Sequence, residues 1–179
     1  ETIFYPPQGQ TRLRSMIETR PDWCVSRQRV WGVPLPLFVN KKTGQPLRDE
    51  NIINRIADIY EKEGSNTWFT EDPQRFLGDE YSLEDYEQVK DVVEVWFDSG
   101  STHAFCLEQR EDLKWPASMY LEGSDQHRGW FHSSLLESSG TRGKAPYESV
   151  LTHGFVVDGR GRKMSKSLGN VISPDDILK

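Results

Sequence analysis

Residues 119–137, MYLEGSDQHRGWFHSSLLE, decide the expected fold of this chain. The apolar run 119–122 predicts a short strand that ends at Gly123. From Gly129 to Glu137, apolar residues recur at the spacing of a helix. The stretch therefore predicts a strand, a turn and a helix in that order.

A second apolar run at residues 150–157, VLTHGFVV, predicts another strand. The run breaks at Asp158-Gly159, a dipeptide typical of turns. Strand, helix and strand in this order favour a parallel crossover, and ligands of such sheets bind beyond the carboxyl ends of the strands. We therefore expect the turn after Glu122 and the loop after residue 157 to converge on one pocket.

The loop at residues 163–167, KMSKS, sets two lysines three positions apart among glycine and serine residues. Backbone N–H groups, hydroxyls and ammonium groups of such a loop can hold a polyphosphate and stabilise the charge that develops during its transfer. A solvated basic turn is the alternative, because short stretches rich in Lys and Arg are common.

Shorter patterns predict further elements. Isoleucines at helical spacing indicate a helix that Asp49 caps and Gly64 terminates. The others are an extended segment at 33–39, a short helix from a capping box at 82–85, a strand at 92–96 and a helix beginning at Ser173-Pro174.

Composition argues against several classes of protein. The chain has no apolar run of about 18 residues and no basic-then-apolar leader, so we expect a cytoplasmic protein with no membrane segment. Cys24 and Cys106 have no CxxC partner, which argues against a zinc ribbon or a disulfide framework. The histidines lack the i,i+4 spacing of a helical zinc site. No protein-bound zinc or other metal ligand set is therefore predicted.

The distribution of charge divides the chain into three segments. The net charge is -6, which weighs against a general nucleic-acid binder. Residues 1–48 hold eight Lys and Arg against three Asp and Glu, residues 49–95 hold four against fourteen, and residues 96–179 hold ten against eleven. A solvated helical face would explain the acidic residues but not their contrast with both flanks. We therefore expect an acidic module inserted into one larger domain.

Candidate ligand-binding residues lie at the predicted turn after residue 122. Gly123 permits close approach of a ligand to the backbone, and Asp125 and Gln126 can accept hydrogen bonds from ribose hydroxyls. An N-cap at Asp125 is the alternative interpretation. Glu122 can hold a primary ammonium group or form a surface ion pair.

Two tryptophans are candidates for the walls of an aliphatic pocket. Trp96 lies in the VWFDSG segment, and Trp130 opens the predicted helix. Aromatic side chains also dominate ordinary cores, so core packing is the alternative for each of them.

Four segments together resemble class I aminoacyl-tRNA synthetases. The lysine loop and its LGN continuation are similar to the second signature motif of that class, and a Ser-Arg-Gln segment is shared by its valyl, leucyl and isoleucyl branches. The EGSDQHRGWF string resembles the isoleucyl branch in particular. The four segments are DWCVSRQRVWG at 22–32, VWFDSG at 95–100, YLEGSDQHRGWF at 120–131 and KMSKSLGN at 163–170.

The resemblance implies an α/β fold, the second half of a Rossmann-like parallel nucleotide-binding domain. Residues 1–39 and 95–179 would form this partial catalytic domain, and residues 40–94 an acidic α+β connective insertion. The implied activity is ATP-dependent activation of isoleucine to isoleucyl-adenylate and transfer to tRNA(Ile). Mg²⁺ would arrive with ATP. No membrane and no obligate protein partner is implied.

The resemblance also assigns roles to single residues. Lys163 and Lys166 would stabilise the charge on the departing pyrophosphate. Glu122 would hold the amino group of isoleucine. Trp96 and Trp130 would line the isoleucine pocket. The residues implied at ATP or the adenylate are Gly123, Asp125, Gln126, His153, Gly154, Lys166 and Ser167.

This sequence lacks three parts that such an enzyme is expected to contain. They are a His-x-Gly-His signature, an editing domain and an anticodon-binding region. Because these parts are missing, we expect this piece to be inactive alone. Residue 1 is Glu rather than Met, so we expect either an interior fragment or a processed chain. Two alternatives stay open. The chain could be a fragment of a valyl or leucyl enzyme, or a non-catalytic module that binds nucleotide or tRNA.

Overall fold

A computed structural model describes residues 1–178, which form two compact units. The first unit combines Glu1–Pro21 with the chain from Ser99 onward, and the second is Asp22–Asp98. The predicted insertion, residues 40–94, falls within the second unit. Its assignment as a connective insertion stays a prediction.

The strands are β1 (Ile3–Tyr5), β2 (Ser26–Arg27), β3 (Phe38–Asn40), β4 (Tyr86–Gln88), β5 (Val92–Val93), β6 (Tyr120–Gly123) and β7 (Ser149–His153). The α-helices are α1 (Gln8–Glu18), α2 (Glu50–Glu63), α3 (Thr67–Thr70), α4 (Gln74–Leu77), α5 (Val95–Gly100), α6 (Trp130–Arg142) and α7 (Pro174–Ile177). A π-helix at His103–Glu108 and 3₁₀ helices at Ser124–Arg128 and Lys166–Leu168 complete the elements. The fold is therefore mixed α/β.

The first unit is built on a small parallel sheet with strand order β1-β7-β6. Both neighbours of β7 run parallel to it. Helix α6 connects β6 to β7, so the predicted parallel crossover is confirmed. Strand β7 ends at His153, whereas the sequence predicts a strand that continues to residue 157.

The core of the first unit lies between this sheet and α6. Its fully buried members are Tyr120, Phe131, Tyr147 and Val150. Helix α6 also turns serines toward this core, and their hydroxyls are paired: Ser134 lies 3.0 Å from the Tyr120 hydroxyl and donates to the carbonyl of Gly100 at 3.0 Å. Because these polar groups are hydrogen-bonded, their burial carries little desolvation penalty.

The second unit has its own core, centred on Trp68 and lined by aromatic and isoleucine side chains. The predicted helix is confirmed as α2: Asp49 accepts a hydrogen bond from the N–H of Asn51 at 2.8 Å, and Gly64 at φ 88° ends the helix. Strands β3 and β4 pair antiparallel beside it. The predicted extended segment at 33–39 becomes a strand only from Phe38.

Two predicted elements of the second unit are wrong. Residues 82–85 form a single turn rather than a helix. The N–H of Tyr86 bonds to the carbonyl of Ser82, as in the first turn of a helix, but Tyr86 then pairs with Asn40 in β4, so no second turn follows. The strand expected at 92–96 stops at Val93. The Glu94 carboxylate accepts the N–H of Trp96 at 3.0 Å, which stabilises the start of α5 instead.

The C-terminal helix begins at Pro174, as predicted, and the N–H of Ser173 donates to the Asp176 carboxylate at 3.2 Å. Within residues 1–178, no helix has both the length and the apolar character needed to cross a membrane.

Candidate functional site

Two predicted ligand-binding residues lie opposite each other at the carboxyl edge of the sheet. Gly123 ends β6 and His153 ends β7, and the two are partners in the parallel ladder. A Cβ added to Gly123 would lie 2.6 Å from Oδ1 of Asp125 and 3.8 Å from Cε1 of His153. Glycine is therefore the residue that leaves the backbone of this edge open.

The turn that follows β6 is held by a residue that sequence reasoning did not select. His127 is buried, and its Nδ1 lies 2.7 Å from the carbonyl oxygen of Ser124. Its ring packs edge-on against Phe131. A Cβ at Gly9, in the first turn of α1, would come within 3.2 Å of His127 Nε2. His127 thus fixes the turn against both α6 and α1.

Asp125 and Gln126 occupy different positions in this turn. The Gln126 side chain accepts the backbone N–H of Trp130 at 2.9 Å and donates to Asp125 at 3.3 Å. It therefore satisfies an N–H group at the start of α6. The N-cap interpretation of Asp125 is wrong, because Asp125 lies inside the 3₁₀ helix that Gly123 caps. Asp125 is exposed. The ribose role of both residues stays a prediction, and in Gln126 it competes with the bond to Trp130.

Trp130 is held in one orientation by three contacts. Its ring stacks on Tyr120, with centroids 3.9 Å apart and planes 5° from parallel. Its indole N–H donates to the carbonyl of Ser99 at 3.0 Å, and its backbone N–H is bonded to Gln126. Burial raises the pKa of Tyr120, so its hydroxyl stays protonated and bonded to Ser134. Trp130 is therefore a rigid, half-buried aromatic surface.

The other two residues predicted to contact the amino acid are exposed. Glu122 lies in β6, one position before the edge glycine. Trp96 lies in α5 and is 43% exposed, enough for its ring to contact a ligand. The joint use of Trp96 and Trp130 in one pocket stays a prediction.

Beyond β7 the chain passes through exposed residues to the lysine loop. His153 and Gly154 are exposed, and Nδ1 of His153 lies 2.7 Å from the carbonyl oxygen of Gly154. Val157 and Lys163 then form an antiparallel bridge that closes a short hairpin. The loop therefore starts from a defined backbone position.

The two loop lysines have different environments. The Lys163 ammonium sits over the ring of Phe155, 3.8 Å from its centroid. The Lys166 side chain is exposed, at the start of a 3₁₀ turn, and its ammonium pairs with no group among residues 1–178. Ser167 is exposed, and its hydroxyl lies 2.7 Å from that of Ser165. Within the described residues, Lys166 therefore presents a positive charge that no ion pair compensates.

Asp158 organises this loop, a role that the turn dipeptide alone did not reveal. Its carboxylate accepts the backbone N–H groups of Arg160 and Arg162 at 2.9 and 3.0 Å and the Asn170 amide at 3.1 Å. These bonds, with that to the Arg162 N–H the largest cause and that to Asn170 next, lower the pKa of Asp158 from 3.8 to about 2. The carboxylate is therefore ionised at neutral pH.

Metal ligation was not expected in this chain. In the part of the chain that the structure describes, no three His, Cys, Asp or Glu side chains are grouped as a metal site.

Comparison with known proteins identifies close relatives. Isoleucine–tRNA ligase of Pelagibacter ubique (strain HTCC1062) is 74% identical over 179 residues, covering 100% of this chain and 20% of that protein. The isoleucine–tRNA ligase of Brucella abortus biovar 1 (strain 9-941) is 62% identical over 180 residues, covering 100% of this chain and 18% of that protein. The chain thus spans about a fifth of the length of these curated relatives.

A solved structure has a similar fold. The ternary LeuRS-tRNA-LeuAMS complex of Agrobacterium radiobacter K84 agnB2 matches with a TM-score of 0.56 and 23% identity, over 94% of this chain and 25% of that chain. The likeness concerns the fold alone. A family model, tRNA synthetases class I (I, L, M and V), matches residues 1–179. Because this match spans the whole sequence, the chain belongs to the class I tRNA synthetases of the I, L, M and V group.

Proposed function

We propose that this chain is the part of an isoleucine-activating enzyme that holds the adenylate and stabilises the departing pyrophosphate. In fold terms it would be the second half of a Rossmann-like nucleotide-binding domain, with residues 40–94 as an acidic connective insertion. A cytoplasmic location belongs to the same proposal. The identity to isoleucine–tRNA ligases supports isoleucine over valine or leucine as the substrate.

The ladder pairing of Gly123 with His153 carries this proposal. It brings the end of β6 and the end of β7 to one edge, where parallel α/β sheets bind their ligands. The turn that contains Asp125 follows the end of β6, and the segment that leads to the lysine loop follows the end of β7. A nucleotide bound across the edge would meet both.

The reaction would be nucleotidyl transfer. A carboxylate oxygen of isoleucine attacks the α-phosphorus of ATP in line, a new O–P bond forms, and the bond to the β-phosphate oxygen breaks to release pyrophosphate. Catalysis of such a step rests on positioning and on charge stabilisation. Lys166 supplies positive charge to the leaving group, and Lys163 would join it by leaving the ring of Phe155. ATP would enter as its magnesium complex, so that Mg²⁺ neutralises part of the phosphate charge.

Different residues would recognise the two substrates. Glu122 would hold the ammonium group of isoleucine, and Trp130 with Trp96 would contact its aliphatic side chain. Gly123, Asp125 and Gln126 would hold the ribose, and His153 and Gly154 would pack against adenine. Ser167 would hydrogen-bond to a phosphate oxygen beside Lys166.

The isoleucyl group would then pass to tRNA(Ile). Because the chain spans about a fifth of its relatives, we place this step in the full-length enzyme and expect no turnover by the chain alone.

Calorimetric titration of the full-length enzyme with non-hydrolysable aminoacyl-adenylate analogues tests the proposal. We expect saturable binding of the isoleucyl analogue and much weaker binding of the valyl and leucyl analogues. Preference for the valyl or leucyl analogue would assign the chain to that branch. Absence of binding by a folded enzyme would leave a non-catalytic module as the explanation.

Substitution of Gly123 tests the ribose contact. In Gly123→Ala the new Cβ meets Oδ1 of Asp125 at 2.6 Å, and the exposed carboxylate must move away. Losing one charge-assisted hydrogen bond is expected to raise the KM for ATP about tenfold in pyrophosphate exchange. Gly140→Ala is the matched control, because a Cβ at Gly140 meets nothing within 4 Å. Equal KM values in the two variants would remove Asp125 from the ATP site.

A further inference from the structure

The lysine loop is closed by one pair of polar side chains, Asp158 before it and Asn170 after it. The Asn170 amide N–H donates to Oδ2 of Asp158 at 3.1 Å and to the carbonyl of Lys163 at 3.3 Å. The Asn170 amide oxygen accepts the backbone N–H of Ser165 at 2.8 Å. One amide therefore contacts the start, the middle and the approach of the loop.

The Asp158 carboxylate fixes the hairpin from which the loop departs. Oδ1 accepts the N–H groups of Arg160 and Arg162, while Oδ2 accepts the Arg162 guanidinium at 3.0 Å. The backbone adds two bonds within the same turn, from Asp158 N–H to the Arg162 carbonyl at 2.9 Å and from Gly161 N–H to the Asp158 carbonyl at 2.8 Å. Both oxygens of this carboxylate therefore accept hydrogen bonds from the hairpin, and Oδ2 also accepts one from Asn170.

These contacts give the basic side chains Arg162 and Lys166 different electrostatic environments. Arg162 is neutralised by its ion pair with Asp158, at 2.9 Å. Lys166 has no such partner among residues 1–178 and stays available to a ligand. Gly169 adopts a left-handed backbone conformation, with φ 64°, directly before Asn170. This turn allows the Asn170 side chain to reach Asp158, Lys163 and Ser165.

We propose that Asp158 is a positioning residue for pyrophosphate release: through Asn170 it holds Lys163 and Lys166 in the geometry that receives the departing phosphates. This inference rests on the proposed function of the loop. The carboxylate does not touch the phosphates. It acts through the lysines, whose charge is useful only when the loop is held in place.

The test exchanges the two side chains in the full-length enzyme. In Asp158→Asn, an amide N–H replaces Oδ2 and faces the N–H groups of Asn170 and Arg162. In Asn170→Asp, two carboxylates face each other. We expect each single variant to lower the kcat of isoleucine-dependent pyrophosphate exchange about tenfold or more, because misplaced catalytic groups lose rate steeply. The double variant D158N/N170D restores a donor opposite an acceptor at this one contact, but not the bond from residue 170 to the Lys163 carbonyl or the ion pair with Arg162. It should therefore recover part of the loss.

A second readout separates positioning from general damage. An isoleucyl-adenylate analogue lacks the β- and γ-phosphates, so the single variants should bind it within about twofold of the parent enzyme while their exchange rate falls. Asp175→Asn, an exposed carboxylate in α7, is the matched control and should change neither quantity.

The outcomes distinguish this inference from the function on which it rests. A parent enzyme without isoleucine-dependent exchange would overturn the proposed function. An active parent whose single variants exchange normally would overturn the positioning role alone. Equal losses of exchange and analogue binding, with no recovery in the double variant, would also overturn it and make Asp158 a folding residue.

Discussion

Replacing Lys166 by alanine is expected to slow isoleucyl-adenylate formation about 10²-fold or more, because one charge contact made in the transition state is lost. Lys166 is exposed at the head of the 3₁₀ turn, and its ammonium pairs with no group in the described chain. Its removal therefore leaves no unpaired partner among residues 1–178 and should cost little stability. Single-turnover formation of adenylate in the full-length enzyme measures the effect.

The same measurement distinguishes Lys166 from an ordinary surface lysine. Lys144 lies over the ring of Trp115, outside the proposed site, and Lys144→Ala serves as the matched control. Because the charge is needed mainly in the transition state, the KM for isoleucine should change far less than the rate. Unchanged pyrophosphate exchange in Lys166→Ala would show that the loop is a solvated basic turn.

The sequence predicts those parts of the fold that local chemistry determines. The strand, turn and helix at 120–142 follow from an apolar run, a glycine and a helical repeat, and these signals lie next to each other in the chain. Helix α2 is equally local, since Asp49 and Gly64 satisfy its ends. The lysine loop was located by residue type and order.

Non-local pairing explains most of what the sequence does not predict about the fold. Strand β1 has three residues and gains its hydrogen bonds from β7, whose residues lie 146 positions further along, as in Ile3 opposite Ser149. The turn at 82–85 begins like a helix, but the next residues, from Tyr86 onward, form β4 and pair with β3. At 92–96 valines favour a strand, but a carboxylate at position 94 caps a helix. For β1 and for residues 82–85, tertiary pairing decides the outcome, whereas at 92–96 a local side-chain cap overrides the strand preference of the valines.

The candidate site shows the same limit at the level of side chains. Gln126 has the chemistry to bind ribose, and the structure adds a competing partner at the start of α6. His127 and Asp158 are unremarkable in the sequence because their importance depends on which backbone groups they reach. Residue type indicates what a side chain can do, whereas the fold determines how many partners it has.

Replacing Trp130 by alanine is expected to weaken isoleucine binding by ~3 kcal/mol, about a 10²-fold rise in Kd, the scale for truncating a buried aromatic side chain. The indole is stacked on Tyr120 and anchored to Ser99, so it meets a ligand as a rigid surface with little entropy left to lose. Equilibrium titration of the full-length enzyme with isoleucine measures the change.

Trp130 also packs against the core of the first unit, so loss of affinity has to be separated from loss of stability. Phe131→Leu removes volume from the same core at a fully buried neighbour and should lower the free energy of unfolding while leaving isoleucine affinity unchanged. Trp130→Phe keeps a ring on Tyr120 but loses the bond to Ser99, and its affinity should fall between those of the parent and Trp130→Ala. If Phe131→Leu and Trp130→Ala weakened isoleucine binding equally, the contribution of Trp130 would be to the core rather than to the pocket, because the effect that the two substitutions share is the loss of packing in that core.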